Sequence, residues 1–530
     1  MRKILFVIPH AGKDKPVENM QERHIVTPPY GVLSLASYLR DKSTTLIDVS
    51  ILDLNLYPRE KDIMDAAVRE KIIEYRPDIM GISVMFNWTC NALKTYSEIA
   101  RGVDAGIIII CGGVVATNYY GNIVKDNMYI DGVCFAEGEI PLLKLVNAAD
   151  PYEVMENDPS WFTRKALAKG KKPVASFVEN LDELPFIDFT MIDINAYEAR
   201  LRKRTLNNTD TANSGLTLPI HTSRGCPFNC VFCCTAANHG KKMRYMSPGR
   251  VKHEVENMIN KYGIKRLAID DDQFLLDRER AKEILRQIAG FNIAVEVASG
   301  LSVAFIDNEV ARLLKKAGLE IAYLAIESGS ERVLREIIAK PLQVEQIETA
   351  VKALRDNGLL IHVNVIIGFP GETEEDRALS LKLMEEMGFE WNYIYIATPM
   401  MGSRLYDMCV EKNYIDRSQV FDEAHLYNCV IRAPGIDPDY INKKAYMMNL
   451  EVNFVKNYRM RIGDFETAAG YFKNVVDKYP HQAFAHYYLA RAYEGMGADG
   501  AKIQEHYKKF RELINSSGQW KEYARSFALI

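Results

Sequence analysis

The sequence lacks three features that would each assign the protein to a broad class. Its 530 residues contain no apolar run that approaches a membrane-spanning helix, which needs roughly 20 residues. A formal net charge of -4 gives no electrostatic reason to expect nucleic acid or an anionic membrane as a partner. Nine cysteines are too sparse for a disulfide framework in a chain of this length. These absences favour a globular cytoplasmic protein.

The amino-terminal segment MRKILFVIPHAGKDKP is better explained as a buried first strand than as a targeting sequence. It has one basic pair and a short apolar run, but no small-residue cleavage site follows. The chain length predicts roughly three or four domains of about 100–200 residues each. Changes in the residue pattern divide the chain into four segments: 1–148, 149–205, 206–405 and 406–530.

The cysteines fall into two groups. Four of them lie within nine positions of the segment HTSRGCPFNCVFCCTAANHG, residues 221–240. Thiols at this spacing in a reducing compartment are usually metal ligands or redox groups. The other five are scattered and are expected to be small buried hydrophobic side chains: Cys90, Cys111, Cys134, Cys409 and Cys429.

The spacing of Cys226, Cys230 and Cys233 distinguishes between two kinds of metal site. A zinc ribbon needs a second half of Cys or His ligands, and none follows nearby in the sequence. His239 is an alternative fourth zinc ligand, but Gly240 and two lysines beside it indicate a solvated loop residue. Three thiolates on a 4Fe-4S cubane leave one iron open to a chelating ligand. The spacing therefore indicates reaction chemistry rather than a structural site.

The segment RGCPFNCVFC resembles the cluster loop of radical S-adenosylmethionine enzymes, whose pattern is C-x3-C-x-aromatic-C. The resemblance implies that Cys226, Cys230 and Cys233 hold a 4Fe-4S cluster whose fourth iron is chelated by S-adenosylmethionine. Phe232 fills the aromatic position, which packs near the adenine in that family. Cys234 lies outside the pattern, so we expect a bystander; the alternative is a redundant thiol near the cluster.

Residues 218–400 alternate short β-rich runs with charged helical stretches, which predicts βα units and a parallel sheet. Six such units suit the partial (β/α)6 barrel of this family, with reactive groups at the carboxyl ends of the strands. The segments DDD (270–272), AIESGSERVLREIIAK and VNVIIGFPGET resemble later strand ends of the family; the alternatives are a helix start and plain turns. The S-adenosylmethionine contacts implied by the resemblance are Phe232, Asp271, Glu327, Ser328, Asn364, Gly368 and Pro370.

The first 145 residues alternate strands and helices like a doubly wound, flavodoxin-like or Rossmann-like unit. No G-x-G-x-x-G follows the first strand, which disfavours a dinucleotide-binding fold. The segments PPYGVLSLASYL, GISVMFNWTCNAL, CGGVVATNY and DGVCFAEGEIPLLKL resemble the cobalamin-binding domain that precedes many radical S-adenosylmethionine domains; the alternative is ordinary tight turns. The cobalamin contacts implied are Tyr30, Ser83, Asn87, Trp88, Gly112, Gly113, Val114, Thr117, Glu137, Gly138 and Glu139.

One motif common in cobalamin domains is missing. Domains that ligate cobalt from below usually carry D-x-H-x-x-G in the first loop, and PHAGKDKPVENMQERHIVTPPY has no Asp before a His at that spacing. We expect a cobalt without a histidine ligand, with His10 or His24 as the alternative. Asn87 and Trp88 are the expected neighbours of the lower face of the ring.

The remaining segments are a connector and an all-α C-terminal region. NLDELPFIDFTMID, within residues 151–200, resembles the acidic-proline strand that joins these two domains and is expected to carry little chemistry. Residues 461–512 resemble a tetratricopeptide helical pair; such repeats need about three copies for stability, so we expect this pair to pack on the barrel. Its aromatic stripe is explained by helix core or, alternatively, by a groove for a peptide: Tyr471, Phe472, Tyr487, Tyr488 and Tyr493.

The resemblances together imply a cobalamin-dependent radical S-adenosylmethionine C-methyltransferase that works anaerobically. Methylcobalamin would deliver the methyl group to an unactivated carbon, and a second S-adenosylmethionine would restore it. The expected partners are a flavodoxin-like or ferredoxin-like reductant and a peptide or protein, for example a glutamine of methyl-coenzyme M reductase. No catalytic side chain is predicted. The alternatives are a non-methylating cyclase or rearrangement enzyme and an iron-sulfur scaffold protein whose helical tail is an adaptor.

Overall fold

The structure, a computed structural model, describes residues 1–11, 26–202, 215–297, 299–416, 421 and 428–530. His24, the alternative cobalt ligand, lies outside these ranges. The described residues form a six-stranded sheet, two three-stranded sheets, a two-stranded ribbon and a block of C-terminal helices. None of the described helices is both long and apolar enough to cross a membrane.

The first domain is a parallel sheet with helices on both faces. Its strands and helices are β1 (Arg2–Ile8), α1 (Tyr30–Lys42), β2 (Ile47–Asp53), α2 (Lys61–Tyr75), β3 (Ile79–Ser83), α3 (Thr89–Val103), β4 (Ile108–Gly112), α4 (Val114–Asp126), β5 (Gly132–Cys134) and α5 (Glu139–Asn147). On β1, Leu5 and Val7 pack into one helical layer, and Ile4 and Phe6 pack into the other. Burial on both faces explains the near-continuous apolar run of this strand.

The strand order of this sheet shows where a ligand can bind. The order is β2-β1-β3-β4-β5, so the direction of winding reverses between β1 and β3. In doubly wound sheets, ligands bind in the crevice outside the carboxyl ends of the strands at such a reversal. The predicted doubly wound unit is therefore present, and its crevice lies beside the loops that follow β1, β3 and β4.

The predicted linker also adds secondary structure to the first domain. Its elements are α6 (Pro151–Asn157), β6 (Trp161–Phe162), α7 (Arg164–Ala168) and α8 (Ile194–Arg202). Strand β6 pairs antiparallel with β5, so the first sheet extends beyond the predicted boundary at residue 148. The Tyr197 hydroxyl donates a buried hydrogen bond of 2.7 Å to Asp53. The connector thus returns to the first domain before the second begins.

The second domain contains the six predicted βα units. Its elements are β7 (Thr217–Ile220), β8 (Ser223–Arg224), α9 (Thr235–His239), β9 (Arg244–Tyr245), α10 (Pro248–Tyr262), β10 (Arg266–Ile269), α11 (Arg278–Ile288), β11 (Ala294–Glu296), α12 (Asn308–Lys316), β12 (Ile321–Glu327), α13 (Val344–Asp356), β13 (Leu360–Ile367), α14 (Glu374–Met387) and β14 (Trp391–Ile396). Helix α10 illustrates the local signals: Ser247 caps its first turn, Pro248 opens it and Gly263 ends it at φ 69°.

The six strands of the βα units form two parallel sheets instead of one continuous barrel wall. The sheets have the orders β11-β10-β7 and β12-β13-β14. Two isolated parallel bridges connect β11 and the loop after it to β12 and the residues before it, namely Val295 to Leu319 and Leu301 to Leu324. The six strands therefore follow one another in chain order, and all of their carboxyl ends point to one edge.

The C-terminal region is helical. Its helices are α15 (Arg404–Glu411), α16 (Pro438–Leu450), α17 (Tyr458–Arg461), α18 (Phe465–Lys478), α19 (Ala483–Gly495), α20 (Gly500–Ser516) and α21 (Gly518–Ser526). The pair α18–α19 occupies the predicted repeat. Four rings of its aromatic stripe are buried in the helix core, namely Tyr471, Phe472, Tyr488 and Tyr493. These four rings fit the helix-core explanation, and the peptide groove, which is the alternative, stays a prediction.

The helical tail packs on the second domain, as expected. The Tyr471 hydroxyl lies 2.9 Å from Nε2 of His362 on β13, and its ring stacks on Trp391 of β14 with centroids 5.7 Å apart. Asn453 accepts a hydrogen bond of 2.8 Å from the backbone N–H of Asn392. These buried contacts make the tail a wall of the second domain.

Candidate active site

The cluster loop follows β7 at the carboxyl edge of the second domain. Strands β8 and β9 pair as an antiparallel ribbon that closes the loop at both ends. Between them, Gly225 has a φ of 99°, and a Cβ there would lie 2.5 Å from the carbonyl oxygen of Lys242. The Cys226 N–H donates a 3.1 Å hydrogen bond to the carbonyl oxygen of Gly240. Only glycine fits this approach, so the loop begins in a fixed conformation.

The three predicted cluster ligands are free thiols near one another. Cys226 is buried, Cys230 is half-buried and Cys233 is exposed. Burial raises the pKa of Cys226 and raises that of Cys230 to about 11, and the charge of Cys233 adds to both shifts. Within the described ranges, no three His, Cys, Asp or Glu side chains converge on a single metal ion. A cubane binds each thiolate through a different iron, so this donor set fits a cluster.

The adjacent thiol of Cys234 points elsewhere. Its Sγ lies 3.3 Å from the carbonyl oxygen of Met401, in the loop after β14. Burial raises its pKa to about 12. These contacts agree with the expectation of a bystander, and that role stays a prediction.

Asp271, a predicted S-adenosylmethionine contact, anchors the segment that leads into the loop. Its carboxylate accepts hydrogen bonds from the Thr222 N–H and hydroxyl, both at 2.5 Å, and from the Ser223 hydroxyl at 2.7 Å. Burial raises its pKa against the effect of these bonds. Because a carboxylate has about four acceptor positions, most of them are used within the chain. The cofactor contact of Asp271 stays a prediction.

Glu327 ends β12 in an unusual backbone conformation. Its φ is 61°, which residues with a side chain seldom adopt and which marks functional positions in many proteins. Its carboxylate accepts a 2.8 Å hydrogen bond from Nζ of the half-buried Lys340. The charge of Lys340 lowers the pKa of Cys230 and that of Glu327 raises it, so the pair lies beside the cluster loop. Ser328 instead lies 3.2 Å from Ser380 through the hydroxyl oxygens.

The turn after β13 contacts the aromatic residue of the cluster loop. The Gly368 N–H donates a 2.5 Å hydrogen bond to the Glu372 carboxylate at a φ of 90°. Phe369, just before Pro370, lies 6.0 Å from the Phe232 ring. The second carboxylate oxygen of Glu372 has no hydrogen-bond partner among the residues that the structure describes, and burial raises the pKa of this residue to about 7. Two segments that are predicted to contact S-adenosylmethionine therefore adjoin.

The inner face of β12–β14 carries an aromatic wall. The rings of Tyr323, Tyr393 and Tyr395 stack in series with centroids 6.3 Å apart. Asn364 lies between Ala325 and Tyr393 in the strand register, on the same face. The Tyr395 side of this wall is open, since that residue is 49% exposed. Such a surface suits the body of a substrate.

The crevice of the first sheet is shaped by two loops that cross closely. Ser83 at the end of β3 pairs with Gly112 at the end of β4. The next residue, Gly113, has a φ of 109°, and a Cβ there would lie 2.8 Å from the carbonyl oxygen of Val84. Val114 then begins α4. The backbone here leaves no space for a side chain at Gly113.

Asn87, in the loop after β3, is a buried polar side chain without a partner. It has no exposed surface, and within the described residues neither amide atom makes a hydrogen bond. An unsatisfied buried polar group costs about 1–3 kcal/mol, so a partner from a ligand is expected. Met85 and Phe86 beside it are 44% and 36% exposed, and Phe86 stacks on Trp88 at 4.7 Å. An apolar surface around an orphaned amide fits a corrin ring with polar substituents.

Three other predicted cobalamin contacts lie around the same edge. The Thr117 hydroxyl accepts a 3.0 Å hydrogen bond from the N–H of Ala136. A Cβ at Gly138 would lie 3.0 Å from a leucine of α1. The Tyr30 ring lies 4.4 Å from the ring of His221, just before the cluster loop. Their contacts with cobalamin stay predictions, as does the absence of a histidine ligand.

The carboxylates of Glu137 and Glu139 contact the cluster loop. Glu137 accepts hydrogen bonds from Arg244 and lies 2.9 Å from Nδ1 of His239. Glu139 accepts a 2.8 Å hydrogen bond from Arg224. The expectation that His239 is a solvated loop residue is wrong, because its imidazole bridges the two domains. Cobalamin contacts for both glutamates stay predictions.

Four residues at this site were missed by the sequence reasoning. Lys340 and Phe369 lie within segments that resemble the family. The sequence does not show that Lys340 pairs with Glu327 or that Phe369 lies beside Phe232. Asp270, whose pKa burial raises to about 6 with help from Glu296, was read only as part of the DDD run. Arg244 is paired with a carboxylate 107 positions earlier, and no local signal links the two.

Two family models match the chain. The radical SAM superfamily model matches residues 220–384, and the B12 binding domain model matches residues 20–146. An uncharacterized methyltransferase of Pyrococcus horikoshii is 29% identical over 415 residues, covering 78% of this chain and 84% of that protein. The anaerobic magnesium-protoporphyrin IX monomethyl ester cyclase of Rubrivivax gelatinosus is 26% identical over 462 residues, 85% of this chain and 76% of that one.

Solved structures share the fold over nearly the whole chain. The radical S-adenosylmethionine methyltransferase TsrM of Kitasatospora setae, with cobalamin and a [4Fe-4S] cluster bound, has a TM-score of 0.61 at 15% identity and covers 97% of this chain and 99% of its own. The cobalamin-dependent S-adenosylmethionine radical enzyme OxsB, with aqua-cobalamin and S-adenosylmethionine bound, has a TM-score of 0.64 at 14% identity. It covers 100% of this chain and 81% of its own.

Proposed function

Because this chain belongs to the cobalamin-dependent radical S-adenosylmethionine enzymes, we propose that it is a C-methyltransferase that acts on an unactivated carbon. The observation that carries the proposal is the contact between two strand-end edges. The cluster loop, which bears three free thiols, meets the turn after β5 through Arg224 and Glu139. This contact supports a reaction that uses both predicted cofactor sites, because it places the cluster loop beside the turn after β5.

The cofactors supply the reactive groups. When bound, the cluster would supply the electron for reductive cleavage of S-adenosylmethionine, and methylcobalamin would supply the methyl group. The chain's own task is to bind, orient and shield these groups.

Residues of the chain divide this task. The thiols of the cluster loop bind iron, and Asp271 fixes the segment before them through Thr222 and Ser223. Phe232 and Phe369 cover the S-adenosylmethionine side with apolar rings. A dry, fixed geometry of this kind strengthens polar interactions and lowers the entropy cost of bringing reactants together.

The substrate is the least supported part of the proposal. The aromatic stripe of the tail, which favoured a peptide or protein, is packed in the helix core. A glutamine of methyl-coenzyme M reductase therefore stays a prediction without a contact of its own. The tyrosine wall on β12–β14 supports a substrate bound within the second domain. Since the tail is bonded to His362 and Asn392, deleting it would damage the domain and is a poor test of recognition.

Ring closure is a second candidate function. The similarity to the Rubrivivax gelatinosus cyclase favours it, because the alignment covers 85% of this chain and so includes parts of both domains. The same two cofactors would then serve a reaction without net methylation. We also infer a cytoplasmic location. A low-potential cluster needs an oxygen-free setting and an electron donor, so we infer an external reductant of the flavodoxin or ferredoxin type.

One labelling experiment separates the candidates. The anaerobically reconstituted chain is incubated with reductant, S-adenosylmethionine bearing a trideuterated methyl group, and a small-molecule and peptide extract of the source cells. Methyl transfer predicts a product that carries the deuterated methyl group on carbon, with equal amounts of 5′-deoxyadenosine and S-adenosylhomocysteine. A product formed without the label would favour cyclisation. Formation of 5′-deoxyadenosine with neither labelled product nor S-adenosylhomocysteine would refute the methyltransferase.

A further inference from the structure

A cluster of ionisable side chains lies between the two domains, and four of its five members are buried. We call it the interdomain ion cluster; its members are Glu137 and Glu139 from the first domain and Arg224, His239 and Arg244 from the second. The exposed fractions of the side chains are 3% and 4% for the glutamates, and 8% and 2% for Arg224 and Arg244. Charges this deeply buried are rare and costly unless they are paired.

Every carboxylate oxygen of Glu137 is used. Oε1 lies 2.5 Å from Nη2 of Arg244 and 2.9 Å from Nδ1 of His239. Oε2 lies 2.8 Å from Nη1 of Arg244 and 3.2 Å from Nη1 of Arg224. The pair with Arg244 is therefore bidentate, which fixes direction as well as distance.

The second glutamate extends the cluster. Glu139 accepts hydrogen bonds at Oε1 from Arg224 at 2.8 Å and from the Ser34 hydroxyl at 3.0 Å. Burial alone would raise the pKa of Glu137, but hydrogen bonds from Arg244 and His239 and the charge of Arg224 lower it to about 2. Both glutamates thus bind arginine from the other domain, and Glu137 does so as a charged carboxylate.

The arginines and the histidine border the cluster loop on both sides. Arg224 stands directly before Gly225 and Cys226, and His239 ends α9 shortly after Cys233. Arg244 is paired with Arg224 across the β8–β9 ribbon. On the other side, Glu137 follows β5, whose neighbour β4 ends at the Gly112–Gly113 turn of the crevice. The loop for the iron-sulfur cluster is thereby held against the edge that carries the predicted cobalamin site.

We propose that Glu137 is a positioning residue that sets the separation between the iron-sulfur cluster and the cobalamin through its contacts with Arg244, Arg224 and His239. It acts through the cluster loop and touches no reacting atom. The inference goes beyond the methyl transfer proposed above, because it holds for any reaction that uses both cofactors.

The test is the distance between the two cofactors in the reconstituted holoenzyme. With the cluster reduced and the cobalamin as cob(II)alamin, both carry an unpaired electron, and pulsed electron paramagnetic resonance measures their dipolar coupling. Glu137→Gln removes the charge and keeps the side-chain size. We expect a broader or shifted distance distribution in those molecules that carry both the cluster and cobalamin. We also expect methylation of bound cobalamin by S-adenosylmethionine to slow about 100-fold, as a displacement of about 1 Å can do.

A matched control is Glu254→Gln. Glu254 is equally buried at 1% and is paired with Arg250, but both lie on the outer helix α10. This variant should keep the wild-type distance distribution. If Glu137→Gln is insoluble, Glu139→Gln is measured instead, because it removes one arginine contact and leaves the bidentate pair. The distance distribution of Glu139→Gln should then differ from that of the wild type, by less than is expected for Glu137→Gln.

Two results would overturn the proposal. One is a wild-type distance distribution in Glu137→Gln, or in Glu139→Gln when that variant replaces it. The other is a change of equal size in Glu254→Gln, which would make the effect a general consequence of losing a buried charge. A wild-type chain that takes up the cluster but no cobalamin would instead refute the proposed function, so the two failures are distinguishable.

Discussion

The cluster loop and the crevice of the first sheet build cofactor sites in opposite ways. The loop places its three thiols within eight consecutive residues, Cys226 to Cys233. The crevice gathers its candidate groups from the ends of separate strands: Asn87 after β3, Gly113 after β4 and Glu137 after β5. The first kind of site is visible in a short motif, whereas the second exists only once the sheet has formed.

The difference also concerns what each region needs from its surroundings. The cluster loop is held by contacts inside its own domain, such as Asp271 with Thr222, and by the interdomain ion cluster. The crevice contains the Asn87 amide, which has no hydrogen-bond partner in the described part of the chain, and the exposed side chains of Met85 and Phe86. The start of the cluster loop is thus fixed by bonds within the protein, whereas the crevice leaves Asn87 to be satisfied by a ligand.

The largest effect is expected at the cluster loop. Changing Cys226, Cys230 and Cys233 together to Ala should abolish the uptake of about four irons per chain after anaerobic reconstitution, because no thiolate of the motif remains. Iron and sulfide analysis measures this. Cys234→Ala is the control and should keep the wild-type iron content. Wild-type iron in the triple variant would reject the assignment.

The next largest effect is expected at the crossing of the two crevice loops. Gly113→Ala should lower stability by about 2 kcal/mol, from the positive φ and the close carbonyl of Val84, and should weaken cobalamin binding. Equilibrium dialysis and thermal unfolding measure the two effects. Gly112→Ala is the matched control, since the nearest atom to its Cβ would be 3.7 Å away. Equal behaviour of the two variants would remove the distinction between these glycines.

Asn87→Leu should act with opposite signs on the free and the cobalamin-bound protein. Replacing an unsatisfied buried amide by an apolar side chain of similar size should stabilise the cobalamin-free protein by about 1–3 kcal/mol. Cobalamin binding should weaken, because the polar partner is lost. Asn453→Leu is the control and should destabilise both forms, since Asn453 is bonded to Asn392. A loss of stability in cobalamin-free Asn87→Leu would contradict the account.

The smallest effect is expected at His221, where the two regions meet. Burial and the nearby charges of Arg224 and His239 lower its pKa from 6.5 to about 3. The folded protein therefore binds fewer protons than the unfolded chain below pH 6.5, and stability falls as the pH drops from 6.5 toward 3. The slope is at most about 1.4 kcal/mol per pH unit for one group.

Thermal unfolding midpoints measured between pH 7.5 and 5.5 test this. That pH range spans the pKa of about 6.5 that the histidine has in the unfolded chain. His221→Phe should lose less stability than the wild type on acidification. His253→Gln, on the exposed face of α10, should keep the wild-type dependence. Parallel curves for the wild type and His221→Phe would show that His221 contributes nothing to it.

The sequence predicts what depends on near neighbours. The thiol spacing, the glycines at positive φ and the alternation of strands and helices are local, and the corresponding elements are present. Glu137, Glu139 and His239 were read from their neighbours alone. Their partners lie 85 to 107 positions away, and such pairing depends on how two domains dock.

The tail shows the same limit. The helical pattern of α18 and α19 is evident from the chain, but the contact of Tyr471 with His362 spans 109 positions. An aromatic stripe on a helix is compatible with a core or a groove until its neighbours are known. The break of the predicted barrel into two sheets after β11 likewise depends on the register between β11 and β12, which periodicity does not determine.

The central claim is that the two domains form one site, and the methylation of bound cobalamin tests it most directly. The wild-type chain, loaded with cluster and reduced cobalamin, is mixed anaerobically with S-adenosylmethionine carrying a trideuterated methyl group, and the cobalamin is analysed by mass spectrometry. The account predicts cobalamin bearing the deuterated methyl group, together with S-adenosylhomocysteine. Release of 5′-deoxyadenosine by a chain whose fully bound, reduced cobalamin stays unmethylated would contradict it.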